Sequence, residues 1–256
     1  VRRFLVPVVV TLVGVALLVA GCGSAGSSDR PVAAPVVAVP AEAPAPTTPP
    51  APPVDTAPAD VATVQQVLSD GHYYRGPVDG QASPAYVSAL WAFNRVNGQA
   101  SDHLPTATDL GAATPPVLQG GPADRVEVDL TKQVVYLVKG GQLSAVLPAS
   151  SGSGAVYKKK SGRSEAAITP IGTFTVQYRI VGVRKAELGV LLNPQYFYQG
   201  WAIHGVDVLA PVPDSHGCVQ VTKADSEWLL SQIGPGWTVT LYGGTHVFAV
   251  PGNRQA

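Results

Sequence analysis

"PVPDSHGCVQV", residues 211–221, sets a cysteine between a Ser-His-Gly run and an alternating Val-Gln-Val. The only other cysteine in the chain is Cys22. Val219 to Val221 have the period of a strand, and "WAIHG" upstream reads as another strand ending at His204. The intervening "VDVLAPVPD" holds two prolines and two aspartates, a loop that could fold back and bring one strand end beside the Cys218 segment. Outward from there, "RVEVDL", "QVVYLVK", "QLSAVLPAS", "GTFTVQYRIVG" and "GWTVTLYG" continue the strand reading. In "RVEVDL", Val126, Val128 and Leu130 take one side, Glu127 and Asp129 the other. One clear helix interrupts the strands. Thr222 and Asp225 have the spacing of a capping box, Ala224, Trp228, Leu229 and Ile233 share a face, and Gly234-Pro235 end it. Residues 124–243 are therefore expected to form a mainly β, sandwich-like domain, with 244–256 as a C-terminal tail.

A cysteine nucleophile needs a thiolate, a base near enough to make one, and donors for charge developing on the attacked carbonyl. His204 and His216 compete for the base role on sequence alone. Gly217 lets the backbone approach a substrate or simply turns the chain. The competing readings of Cys218 are a small buried hydrophobe and, with His204 and His216, a zinc ligand. One residue between His and Cys is not a chelating spacing, and no CxxC pair exists. No metal and no cofactor is expected.

The N-terminal half is differently organised. Arg2 and Arg3 precede an apolar run over 4–19 and the small residues of "LVAGCGSAGSS", the layout of a secretory signal over residues 1–21. The run is short for a membrane span, though an uncleaved anchor with Cys22 idle is the alternative. The chain contains no methionine, which points to a non-AUG start at Val1. Residues 31–60 carry ten prolines, nine alanines and no aromatic residue. Residues 22–59 are thus expected as a disordered tether, able to reach about 90 Å in polyproline geometry. Removing residues 1–21 takes away two arginines and no acid, so a formal charge of +0 becomes −2. A weakly acidic chain lacks the basic footprint of a nucleic-acid binder, and no nucleic acid is expected as partner.

Residues 60–115 read as a small three-helix domain. Val61, Val64, Val67 and Leu68 share a helical face that stops at Gly71. Ser83 and Pro84 open a second helix whose stripe is Val87, Leu90, Trp91 and Phe93, and "TATDLGAAT" supplies a short third. A Pro/Gly linker, 116–123, leads into the strands.

Three resemblances follow from these residues. Val19-Ala20-Gly21-Cys22 resembles the lipobox of bacterial lipoproteins, which implies lipidation of Cys22 and a lipid anchor on the outer face of the cytoplasmic membrane, in the cell wall. Val64-Gln65-Gln66-Val67-Leu68, Gly76-Pro77-Val78-Asp79-Gly80 and Ala89-Leu90-Trp91-Ala92-Phe93-Asn94 resemble the three-helix peptidoglycan-binding domain, with Ser83 and Asn94 departing from its usual glycine and glutamine. His204-Gly205 and Ser215-His216-Gly217-Cys218, preceded by Thr169-Pro170-Ile171-Gly172-Thr173-Phe174, resemble the YkuD-like L,D-transpeptidase catalytic domain. That last resemblance implies Cys218 as nucleophile and His204 as proton acceptor and donor. Gly205 would orient the imidazole, His216 support the site, Ser215 brace the loop, and the N–H groups of Gly217 and Cys218 serve the oxyanion. Gln220 stands where the family usually has Arg or Asn, and loses Arg's fixed positive fork. The implied reaction is 3→3 cross-linking of peptidoglycan stem peptides through a thioester. The alternatives are L,D-carboxypeptidase hydrolysis of the same stems and a non-catalytic wall-binding lipoprotein.

Overall fold

The computed structural model of the protein describes residues 57–251. The signal, Cys22, nearly all of the tether and the last five residues of the tail lie outside the described residues. Helix α1 (Val61–Asp70) starts at Asp60, whose carboxylate accepts the Thr63 N–H at 3.0 Å, and stops at Gly71. Helix α2 (Pro84–Val96) starts at Ser83, whose hydroxyl accepts the Tyr86 N–H at 3.2 Å, with proline in its first turn. Helix α3 (Ala107–Ala112) is closed by a Thr106–Asp109 capping box. Val64, Leu68, Leu90 and Phe93 meet in the shared core. Val87, expected in that stripe, is instead 41% exposed, and its neighbour Tyr86 is buried. The polar Gln65 is fully buried. Its amide oxygen accepts the N–H groups of Asp79 and Gly80 at 3.0 and 2.8 Å, and its nitrogen donates to Asp79 Oδ1 and Gln81 O. Gln65 thereby holds the 76–81 turn against α1.

Thirteen strands follow among the described residues: β1 (Arg125–Asp129), β2 (Val134–Lys139), β3 (Gln142–Pro148), β4 (Val156–Lys158), β5 (Ser164–Ala166), β6 (Thr169–Thr175), β7 (Tyr178–Arg179), β8 (Val183–Ala186), β9 (Gly189–Tyr198), β10 (Trp201–Val206), β11 (Val219–Thr222), β12 (Thr238–Tyr242) and β13 (Val247–Ala249). Helix α4 (Lys223–Gln232) lies between β11 and β12. One sheet runs β13-β6-β12-β1-β2-β3, a second β11-β10-β9-β7 with β8 beside β9, and β4-β5 form a hairpin. Strand β13 falls in the stretch expected as a tail, and pairs in parallel with β6.

The two larger sheets close a core of Val128, Leu137, Leu147, Phe174 and Leu241 against Phe197, Ile203, Val219 and Leu229. Strand β2 is buried on both faces. Val135 and Leu137 enter that core, while Val134 and Tyr136 pack under the helices. A strand covered on both sides reads as a continuous apolar run, which is how "VVYLV" reads. Strand β1 differs from expectation, because Glu127 and Asp129 are buried too. The linker covers that face: Gln119 and Gly120 donate their N–H groups to the Glu127 carboxylate, and Arg125 Nε donates to it at 2.6 Å. The described residues fall within one compact unit, so the three helices and the sandwich are joined through β2 and β3.

Helix α4 connects this frame to the second sheet. Its Asp225, buried in the first turn, accepts Arg75 at 2.5 Å, and the Arg75 guanidinium lies 4.2 Å from the Trp228 ring centroid. The next residue, Ser226, packs directly on Gly205 of β10. A Cβ at position 205 would run into Ser226 Oγ and stand 2.7 Å from Ser226 Cβ. Gly205→Ala should therefore destabilise the fold by about 1–3 kcal/mol through overpacking. Adding Ser226→Gly should recover part of this despite costing about 1 kcal/mol in helix propensity. Urea midpoints check the pair, and an alanine variant as stable as the parent would contradict the packing.

Candidate active site

Strands β10 and β11 run parallel, with Ile203 opposite Val219 and His204 opposite Gln220. Side chains alternate along a strand, so Cys218, one residue before β11, shares a face with Gln220 and sits diagonally from His204. His204, Cys218, Gln220, Ser215 and His216 all line one cleft of about 550 Å³. The expected site residues are thus brought together. Cys22 lies outside the described residues, and Gly205 lies beneath the cleft, on α4.

His204 is 5% exposed. Its Nδ1 lies 3.0 Å from the Gly205 carbonyl oxygen, which can only accept. Nδ1 therefore carries the proton, and the neutral ring offers Nε2 as a base. Burial pulls the imidazole pKa below its usual value, partly opposed by that backbone bond. Burial also pushes the Cys218 thiol up to about 11, against a smaller opposing effect of a backbone hydrogen bond from Ala202. Both shifts favour the uncharged forms.

The loop before Cys218 is laid on residues 149–153. Ser150 and Gln220 exchange backbone hydrogen bonds at 2.9 and 2.8 Å, and Ser215 N–H donates to Ser151 O at 2.9 Å. The Ser150 hydroxyl donates to Val212 O and accepts the Asp214 N–H. Thr169 Oγ1 donates to Gly217 O at 2.9 Å and accepts the Gly152 N–H at 3.0 Å, which gives the Thr-Pro motif a structural task.

Ser215 is buried and braces the turn as expected from the motif. Its hydroxyl donates to Cys218 O at 2.6 Å and accepts the Gly217 N–H at 2.9 Å. That second bond engages the Gly217 N–H, expected as an oxyanion donor, inside the turn. Gly217 itself is required sterically, since at φ +134° its missing Cβ would lie 2.6 Å from Ile168 O and 2.7 Å from Trp201 Nε1. His216 is exposed and stands edge-on to Tyr157, ring centroids 4.7 Å apart.

Several cleft residues escaped the sequence reading. The β4–β5 hairpin contributes Tyr157, Lys159 and Glu165, and the turn from β8 to β9 contributes the facing wall. Lys159 and Arg163 both pair with Glu165 and, with the Lys159 hydrogen bond first, hold its carboxyl below the usual range. The Lys160 N–H donates to Glu187 Oε1, joining the two hairpins across the cleft mouth. The available signal was Ser161-Gly162 between two short alternating runs, a hairpin mark. Among the described residues no group of three His, Cys, Asp or Glu side chains gathers to hold a metal.

Comparison with known proteins agrees with this geometry. Residues 123–241 match the YkuD family, the L,D-transpeptidase catalytic domain. No curated protein matches the chain. Among solved structures, the L,D-transpeptidase (residues 123–326) from Xylanimonas cellulosilytica DSM 15894 is 35% identical, with a TM-score of 0.67 over 76% of this chain and 100% of that one. An L,D-transpeptidase from Stackebrandtia nassauensis is 20% identical, covering 73% of this chain and 93% of its own at a TM-score of 0.44. One from Mycobacterium tuberculosis H37Rv is 18% identical, covering 48% and 59% at 0.39. The chain belongs to the YkuD family of L,D-transpeptidase catalytic domains.

Proposed function

We propose that the cleft transfers acyl groups between peptidoglycan stem peptides through a thioester on Cys218, forming 3→3 cross-links. The observation that carries this reading is the face shared by His204 and Cys218 on neighbouring strands, with Nδ1 of the imidazole held on Gly205 O. As Sγ attacks the carbonyl carbon of the third stem residue, its proton passes to His204 Nε2. The Cys218 N–H is left as the donor of the expected pair for the developing oxyanion. Collapse breaks the peptide bond, and His204 returns the proton to the departing D-alanine amine. The amine of a second stem then attacks the thioester, His204 takes its proton, and expulsion of sulfur restores the thiol. The lipidated Cys22 and the Pro/Ala tether, in the same proposal, hold the cleft above the membrane among the stems, with the helical region against the glycan.

A carbapenem is a suitable probe, because its strained amide acylates a nucleophile without releasing the leaving group. The protein should gain one carbapenem mass on Cys218. Cys218→Ala should melt like the parent yet show neither adduct nor cross-linked dimer, and His204→Gln should slow acylation by roughly 10²–10⁴-fold. Dimer formation by the Cys218→Ala variant would eliminate the mechanism.

The uncharged resting pair gives a pH prediction. Protonated His204 cannot accept a proton, so kcat/KM should climb with pH through an apparent pKa below 6.5 and then level. Without stem peptide, alkylation of Cys218 by iodoacetamide should be slow at pH 7 and accelerate toward pH 11. Rapid alkylation at pH 6 would mean a resting ion pair.

A further inference from the structure

Arg95 is the side chain that the family reading leaves unused. It projects from α2, is 9% exposed, and has no carboxylate partner among the described residues. Its guanidinium donates to three carbonyls, Gln133 O and Ala149 O from Nη1 and Pro211 O from Nη2, each at 2.9 Å. These oxygens belong to three separate segments: the turn before β2, the end of β3, and the loop that leads to Cys218. A cation removed from water and given only neutral acceptors is costly to bury. Its fork, however, can hold three strands of backbone in one geometry, which an apolar side chain cannot.

The segments that it joins are those that shape the cleft. Ala149 precedes Ser150, whose backbone and hydroxyl carry the Gln220, Val212 and Asp214 contacts. Gln133 reinforces the same segment, accepting the Ser151 N–H at 2.7 Å and donating to its hydroxyl at 2.8 Å. Pro211 lies on the loop between His204 and Cys218. We propose that Arg95 is a positioning residue for acyl transfer: by tying Pro211 to Ala149 and Gln133 it sets where Cys218 stands relative to His204. The helical region is then part of the catalytic unit, not only a module for holding the wall. This inference rests on the reading of Cys218 as the acylated residue, and goes beyond it.

The test is acylation of the full chain by a carbapenem, followed by mass spectrometry over a range of concentrations, in the parent, Arg95→Met, Arg95→Lys and Leu68→Ala. Leu68 is buried among the helices and touches none of these carbonyls, so its variant loses stability without loosening the loop. Below its melting temperature, Arg95→Met should show a limiting acylation rate lowered about 10- to 100-fold. The half-saturating concentration should change by less than about threefold, as for a misplaced nucleophile and not a lost binding contact. Arg95→Lys should fall in between, and Leu68→Ala should keep the parent's rate. The inference is overturned if Arg95→Met acylates like the parent, or if Leu68→Ala loses as much as Arg95→Met. Should the methionine variant not fold, parental acylation by Arg95→Lys overturns it. A parent that is never acylated removes the reading of Cys218 and this inference together, an outcome distinct from the others.

Discussion

The parallel pairing of β10 with β11 is the constraint on which this site depends. Two parallel neighbours need a crossover of a dozen or more residues, and the usual solution is a helix that satisfies its own backbone. Here the crossover, 207–218, has no helix. Its backbone groups must find partners elsewhere, and several find them on residues 149–153. Ser150 serves Val212, Asp214 and Gln220, Ser151 serves Ser215, and Ser153 donates to Ser215 O at 3.0 Å. The serine-rich stretch after β3 thus does for this loop what a helix does elsewhere. The Cys218 turn is held by hydroxyls: Ser215 Oγ donates to Cys218 O and accepts the Gly217 N–H, and Thr169 Oγ1 donates to Gly217 O.

Burial then decides the electrostatics. His204 is packed so deeply that the imidazolium is disfavoured, and the sulfur is desolvated enough that the thiolate is disfavoured as well. In the proposed reaction, proton transfer is then coupled to attack on the carbonyl. A sulfur held in the thiol form resists oxidation, since oxidation follows thiolate character. Such coupling works only if the sulfur and the imidazole are already aligned, which returns the burden to the loop.

Local chemistry was legible in the sequence. Ser83 with Pro84, Gly71 and Thr222 with Asp225 mark helix ends through contacts a few residues away, and the structure has those ends. The pairing of a His-Gly strand with a Cys turn was legible as well, because loop length and strand period limit the topology. What escaped were polar side chains whose partners lie far along the chain. Gln65, Glu127 and Arg95 lie outside the apolar faces that the sequence marks, and each is buried because a turn, a linker or a loop supplies matching groups. Val87 erred the other way, since two adjacent positions, 86 and 87, could each complete the stripe and only packing chose tyrosine. Strand β13 was read as a tail because three residues carry too little periodicity to announce a strand.

Gln220 shows how these layers combine. Its backbone exchanges two hydrogen bonds with Ser150, a pairing indifferent to the side chain, so the loop is held whatever residue stands there. The side chain faces the cleft beside His204 in register. A guanidinium at that position would place a fixed positive charge next to the imidazole and lower its pKa further, weakening it as a base while offering a fork to substrate carboxylates. An amide leaves His204 depressed by burial alone and can both donate and accept. For the proposed reaction the trade is therefore between base strength and carboxylate recognition, and an amide at 220 favours the base. The β4–β5 hairpin brings charge of its own to the cleft, where the Lys159 ammonium pairs with Glu165. In the proposed reaction a substrate carboxylate would compete with Glu165 for that lysine, whereas a substrate amine would meet Glu165 and Asp214, which line the same cleft.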